Sequence, residues 1–370
     1  MIKSKLCLLT GLLLFCFSPR GNSRNEQVRF SPPVIFNPPE YICYRISAPI
    51  TIDGKVSPEE WEEVPWTPFF VDIKGEKGEK PYLQTRAKMA YDDNGLYVAV
   101  VMEEPHIWAT ITEHDAAVYM DNAFEIFLNP TNDTHNYFEY QINALGTEWD
   151  LFMSKPYRDK GGVALSGWEF AGLTSAVHIE ATLNNPYDTD NFWSVEVFIP
   201  WTSLYEVMGN KQKPDAGDQI RVNMSRVQWR TEIKEGKYTK IPAKGKTSPE
   251  PDYWLWAPMR IVSIHMPEYW GIVQFSHFPA GTGEELFVRY PEEETKQILR
   301  NLYYRQQEYK AQTGHYATIA SALSPQDIIP RPQIKELMLY SAPSMYEITL
   351  PDPTGKVWHI RNDGKIWTDD

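Results

Sequence analysis

Cysteine is scarce. Of 370 residues only Cys7, Cys16 and Cys43 carry a thiol, and the first two fall in an apolar leader, so Cys43 stands alone and no internal disulfide can crosslink an exported fold. Long apolar runs are missing too. The run from Leu6 to Phe17 is about a dozen residues, too short to span a hydrocarbon core of roughly 30 Å as a helix. Basic charge is in deficit: 36 Lys and Arg stand against 49 Asp and Glu, a net charge of −13. No basic stripe is left to meet a phosphate backbone, which excludes nucleic acid as the expected partner. The eight histidines are scattered without HExxH or paired spacing, and there is no GxSxG, no P-loop and no GxGxxG placed after a strand. No repeat of fixed period and no low-complexity tract is visible.

What is present begins with Lys3 and Lys5 ahead of the leader, then Ser18-Pro19-Arg20-Gly21-Asn22-Ser23 behind it. That is a signal-peptide pattern over residues 1–23, and it predicts an exported protein: periplasmic, at the cell surface or secreted. A lipoprotein reading centred on Cys16 meets bulky Phe15 where a small residue is usual. Aromatic residues are abundant, with 13 Trp, 21 Tyr and 16 Phe. One core does not need so many, so some are expected to line a surface.

Residues 24–45 are Pro-rich and read as an extended lead-in, with structure expected from about Ile46. "ITIDGKVSPEEW" predicts a short strand, an Asp53-Gly54 turn and a brief helix with Ser57 as N-cap, Pro58 at its first position and Trp61 as its anchor. "TRAKMAYDDNGLYVAVVME" alternates, turns at Asp92-Asp93-Asn94-Gly95 and alternates again, which is a hairpin signal. Further strands are expected at Phe124–Asn129, Phe138–Leu145, Ala176–Leu183, Trp193–Pro200, Gln219–Arg230 and Gly271–Phe275. The fold class is therefore mainly β, an antiparallel β-sandwich of jelly-roll type over residues 46–279. Residues 280–370 change character: "PEEETKQILRNLYYRQQEYKAQTG" is an amphipathic helix stopped by Gly314, and "MYEITLPDPTGKVWHIRNDGKIW" is a small meander. They form a C-terminal α+β appendage with a potential role in protein contact.

Alternation also sorts the strand faces. In Phe124–Asn129 the apolar Phe124, Ile126 and Leu128 oppose Glu125 and Phe127. In "YFEYQINALG" Glu139, Gln141 and Asn143 face away from Phe138, Tyr140 and Ile142. In "IRVNMSRVQWR" Asn223, Ser225 and Trp229 oppose Val222 and Met224, and Arg226 on the apolar side reads as a member of a structural ion pair. On one sheet these faces would make a floor of donors and acceptors of the kind that hydroxyl-rich ligands require. The alternative for each strand is an ordinary wet outer face. Asp92, Asp93 and Asp121 are candidate calcium ligands, since hard cations take clustered oxygens; plain Asx turns are the other reading.

Six segments, "ITIDGKVSPEEW", "AYDDNGLYVAVVME", "DNAFEIFLNP", "FEYQINALGTEWDL", "WSVEVFIPW" and "YWGIVQF", occur in the order seen in family-9 carbohydrate-binding modules and their bacterial relatives. Over about residues 46–277 the chain resembles them. The resemblance implies a calcium-containing sandwich that holds a sugar between two tryptophans over a polar floor, without catalysis. It places the floor carboxylate at Glu125 after Asp121, with one extra residue between them. The floor arginine falls at Gln141 and a later glutamine near Ser225. The first sandwiching tryptophan is replaced among Ala117, Val118 and Tyr119, leaving Tyr119 to supply a ring, and the second falls at Trp254 or Trp256. Related sandwiches hold haem, and Met120, Met153, Met224, His114 and His178 keep an electron-transfer reading open. A protein-binding scaffold is the third reading. A glycosidase needs two carboxylates at a set separation, for which Glu125 with Glu139 on adjacent strands would qualify, but the resemblance points to binding.

Overall fold

The computed structural model describes residues 28–159, 163–209, 211–330 and 333–369. The leader and its cysteines lie outside the described residues. The chain runs through β1 (Glu40–Arg45), a short helix α1 (Pro58–Trp61), β2 (Val71–Asp72), β3 (Thr85–Tyr91), β4 (Gly95–Glu103), β5 (Ala123–Asn129), β6 (Tyr137–Asn143), β7 (Glu148–Met153) and β8 (Ala164–Leu165). It continues with β9 (Thr174–Glu180), β10 (Phe192–Pro200), β11 (Gln219–Gln228), β12 (Thr231–Lys234), β13 (Lys237–Lys240), β14 (Asp252–Leu255) and β15 (Gly271–Pro279). The long helix α2 (Glu292–Thr313) and β16 (Met338–Ser341), β17 (Tyr346–Pro351), β18 (Val357–Arg361) and β19 (Ile366–Thr368) complete it.

One hydrogen-bonded path orders the large sheet β8-β7-β6-β5-β11-β15-β1-β3-β4-β10-β9, with β14 and β2 extending from β11. The path folds into two layers. Met89 on β3, Val98 on β4 and Val195 on β10 share one buried cluster with Ile126 on β5, Tyr140 on β6 and Met224 on β11. These are the apolar faces that alternation assigns to the interior. The sandwich is antiparallel except at one seam. Strand β1 pairs parallel both with β15, Ile42 opposite Gln274, and with β3, Tyr44 opposite Ala90. Order thus starts earlier than the expected Ile46: Tyr41 and Cys43, inside the lead-in, point into the core.

The hairpin between β3 and β4 turns where expected because the Asp92 carboxylate accepts the backbone N–H groups of Asn94 at 2.7 Å and Gly95 at 3.0 Å, an Asx turn. Gly95 is required by space, since a Cβ there would lie 2.4 Å from the Ile199 carbonyl oxygen. Ser57 occupies the N-cap position of α1 but makes no capping bond with its side chain. Trp61 is the expected anchor, and its Nε1 donates to Glu196 Oε1 at 2.7 Å.

The C-terminal helix ends at Gly314, φ +86°. It buries Ile298, Leu299 and Leu302 against Ile348, Leu350 and Ile360 in a cluster separate from the sandwich core. Strand β16 widens the expected meander to four strands. Polar groups clasp this part to the sandwich: Arg221 Nη2 donates to Glu293 Oε2 at 2.6 Å, and Tyr303 Oη to Asp159 Oδ1 at 2.8 Å.

Candidate functional site

The outer face of β11, β5, β6 and β7 forms the floor. Register sets Ser225, Glu125, Gln141 and Trp149 in one row, and Asn223, Phe127, Glu139 and Leu151 in the next. All point away from the core because their neighbours in sequence point into it. The chain then crosses this face between β14 and β15. Met259, Met266 and Trp270 pack on Phe127 and Leu151, and Asn223 pins the crossing by donating to the Ala257 carbonyl at 2.9 Å and accepting its N–H at 3.0 Å.

A pocket of about 380 Å³ remains open, within the range of small-ligand sites. Glu125, Phe127, Glu139 and Gln141 form its floor. Tyr119, Trp149, Tyr157, Tyr253, Ile73 and residues 262–265 form its walls. Tyr119 and Trp149 lean together with ring centres 5.8 Å apart, and Tyr157 meets the His265 ring edge-on at 4.6 Å. Several polar atoms here have no intramolecular partner among the described residues: Glu125 Oε2, Gln141 Oε1, Trp149 Nε1 and the nearby Ser225 Oγ. Buried groups of this kind carry a free-energy penalty until a ligand or water meets them.

The two carboxyl groups are 3% and 5% exposed for Glu125 and Glu139. Burial pushes the Glu125 carboxyl well above the carboxylate range, and the neighbouring Glu139 charge pushes it further. Burial lifts Glu139 to about 7 against a 2.6 Å hydrogen bond donated by Gln141 Nε2. His265 Nε2 lies 3.7 Å from Glu139 Oε2, but burial lowers this imidazole to about 4. It is therefore neutral at pH 7 and supplies no countercharge. Its Nδ1 shares a 3.0 Å hydrogen bond with Tyr137 Oη.

Residues 52–225 match the family model described as "Carbohydrate family 9 binding domain-like". Over that segment the chain is similar to family 9 carbohydrate-binding domains. The segment contains the whole floor together with Tyr119, Trp149 and Tyr157, while Tyr253 and residues 262–265 lie beyond it. No curated protein matches the chain. Among solved structures it is similar to a Bacteroides uniformis protein proposed to bind carbohydrate, at 12% identity over 65% of this chain and 100% of that one, TM-score 0.48. Two structures of a family 9 carbohydrate-binding module of Caldicellulosiruptor kristjanssonii are similar as well. The one with cellotriose is 14% identical over 67% of this chain and all (100%) of the other, TM-score 0.40. The one with glucose is 15% identical over 68% and 100%, TM-score 0.41.

Of the residues named from sequence, Glu125, Phe127, Tyr119, Glu139 and Gln141 come together in the pocket of the family 9-like segment and its neighbouring wall. Ser225 lies beside Glu125 beneath the surface. Asn223 is taken up by the crossing, and Asn143 by its own turn, where its Oδ1 accepts Leu145 and Thr147 N–H groups at 3.0 Å. Trp229 does not line the pocket; its Nε1 donates to the Tyr119 carbonyl at 2.9 Å, so it buttresses Tyr119.

Trp254 and Trp256 need correcting. They are 2% and 4% exposed inside the sandwich core and cannot stack on a ligand. Their alternate neighbour Tyr253 takes the pocket wall, because β14 presents odd positions outward. Trp149 and Tyr157 were missed as well; strict alternation in "GTEWDL" puts Trp149 outward beside Gln141 and could have found the first. Arg226 is the expected ion-pair member, 3.0 Å from Glu104.

The acids named for calcium do not converge. Asp92 closes its hairpin turn, Asp93 pairs with Arg45 and Lys213, and Asp121 accepts the Thr110 and Ile111 N–H groups at 2.7 and 2.8 Å. Among the described residues the group that does gather is His114, Asp115, Asp150 and Glu169, with ligand atoms within 4.8 Å of one another; His114 Nε2 already meets Glu169 Oε1 at 3.0 Å. The methionines and histidines of the haem reading are dispersed. Met224 lies in the sandwich core and Met153 in the cluster under the crossing, Met120 is exposed, and His178 pairs with Glu180. Among the described residues no helix is long and apolar enough to cross a membrane.

Proposed function

We propose that this chain is an exported, non-catalytic carbohydrate-binding protein that takes an oligosaccharide, or part of a polysaccharide, in the pocket over Glu125, Glu139 and Gln141. The observation that carries this reading is the set of unpartnered polar atoms on the floor between aromatic walls, inside a segment that matches a carbohydrate-binding family. Sugar hydroxyls donate and accept at once. They suit a floor that offers a carboxyl oxygen, an amide oxygen and an indole N–H side by side, while the apolar faces of a pyranose suit tyrosine and tryptophan rings.

Hydrolysis fits less well. A glycosidase needs two carboxyl groups in distinct acid and base roles, whereas the segment that carries Glu125 and Glu139 matches a family described by binding. Export rests on the leader, and a structural calcium remains part of the proposal. A contact with another protein through residues 280–370 is favoured by the exposed Met338, Tyr340 and Val357 on its sheet.

The test is calorimetric titration of the mature protein, calcium present, against plant, algal and host polysaccharides and their oligosaccharides. Saturable binding that Glu125→Ala weakens about ten-fold or more is expected. Binding unchanged in Glu125→Ala would remove the floor role, and silence across the panel would remove the carbohydrate reading.

A further inference from the structure

Resting on the carbohydrate reading, we infer that the sugar held in this pocket carries a positively charged amine, received by the paired carboxyl groups of Glu125 and Glu139 within the ring formed by Tyr119, Trp149, Tyr157 and Tyr253.

The pair stands apart from the other buried glutamates. Among the described residues three more are buried: Glu104, Glu196 and Glu268. Glu104 meets the Arg226 guanidinium at 3.0 Å and Glu268 that of Arg158 at 2.5 Å. Glu196 accepts from Trp61 Nε1 at 2.7 Å and from the N–H groups of Asp53 at 3.0 Å and Gly54 at 2.9 Å. Each is therefore compensated within the protein, as burial of a carboxylate demands. Glu139 receives one neutral amide, and Glu125 has at most the neutral Ser225 hydroxyl beside it, so neither meets a cation.

No lysine or arginine lines the pocket among the described residues. Its one imidazole is already bonded through Nδ1 to Tyr137. Two acids without a cation, beneath four aromatic rings, are complementary to an ammonium group. The carboxylates provide the charge, and the ring faces attract a cation where water is displaced. A neutral hydroxyl can supply hydrogen bonds to this floor but brings no positive charge that would let the two buried carboxyl groups ionise together. The upward displacement of both carboxyls fits the same picture, since bringing in a cation would lower them again.

The experiment compares ligands that differ at one substituent, titrated calorimetrically into the full mature chain at pH 6 and pH 7.5. They are a glucosamine trimer, its N-acetylated form and cellotriose, with spermidine as a free amine. The glucosamine trimer is expected to bind about ten-fold or more tightly than either neutral trimer. Glu125→Gln and Glu139→Gln should each reduce that preference to about two-fold. The preference is read at pH 6, where the sugar amines are protonated, and it should shrink at pH 7.5 as they lose their charge, while cellotriose changes little. The unmodified protein decides the matter by the ligand comparison alone, should either variant fold poorly.

Equal binding of the charged and neutral trimers overturns the amine inference and leaves the carbohydrate reading standing. Spermidine binding as tightly as the amino sugar overturns the sugar part, giving an amine site. No binding of any of the three trimers overturns the amine inference, and the carbohydrate reading is then decided by the wider panel.

Discussion

Tyr253 and Trp254 are adjacent in sequence and face opposite sides of one strand, so the same substitution at each should report on different properties. Tyr253→Ala removes a wall of the pocket and is expected to weaken oligosaccharide binding about ten-fold with little change in melting temperature. Trp254→Ala empties a core site and is expected to cost about 3–5 kcal/mol of stability, read by chemical denaturation. If the two results were exchanged, the facing of β14 would be wrong. Glu139 offers a second test at this scale. Its carboxyl is held at about 7 in the folded protein, above its ordinary value, so the folded state keeps a proton that the unfolded chain has released. The associated stability is present below the unfolded pKa and is lost as pH rises through about 7. Denaturation midpoints of the parent should therefore fall between pH 5 and pH 8, and Glu139→Gln should flatten that part of the profile.

Among the elements, β3, β5, β6, β10 and β11 were legible because each has one apolar face and one more polar face, which fixes strand, register sense and burial together, and β4, apolar on both sides, was legible from the hairpin turn before it. The floor acids followed from the same alternation. Strand β1 was hidden by the prolines ahead of it, although Tyr41 and Cys43 alternate with outward neighbours. Strand β14 was legible as an aromatic run but not in its facing, since "YWLW" is apolar on both sides and gives alternation nothing to sort. The crossing between β14 and β15 was illegible altogether. Its place over the floor depends on Asn223, a residue that sequence alone ranks with ligand-binding amides. Asn223→Ala leaves the Ala257 amide and carbonyl without this partner and should cost about 1–3 kcal/mol. It should also speed hydrogen exchange over residues 256–270 more than in the sandwich core, measured by mass spectrometry.

At the scale of the whole molecule, the helical part and the sandwich are joined by charges. Arg221 and Lys296 hold the Glu293 carboxyl down at about 2. A carboxyl depressed in this way contributes stability above its unfolded pKa, lost as pH falls toward 2. The protein should therefore lose stability on the acid side through this clasp and on the alkaline side through its pocket acids. Glu293→Gln should remove the acid limb specifically, in thermal scans from pH 5 to pH 2.5.

The parallel seam at β1 has a mechanical meaning as well. Tension applied between residues 40 and 279 drags β1 and β15 past each other lengthwise, so their ladder bonds share the load and must fail together. A protein gripping a polysaccharide under flow would then resist pulling at its first and last sandwich strands by shear, whereas antiparallel neighbours tugged at one shared end would peel apart bond by bond.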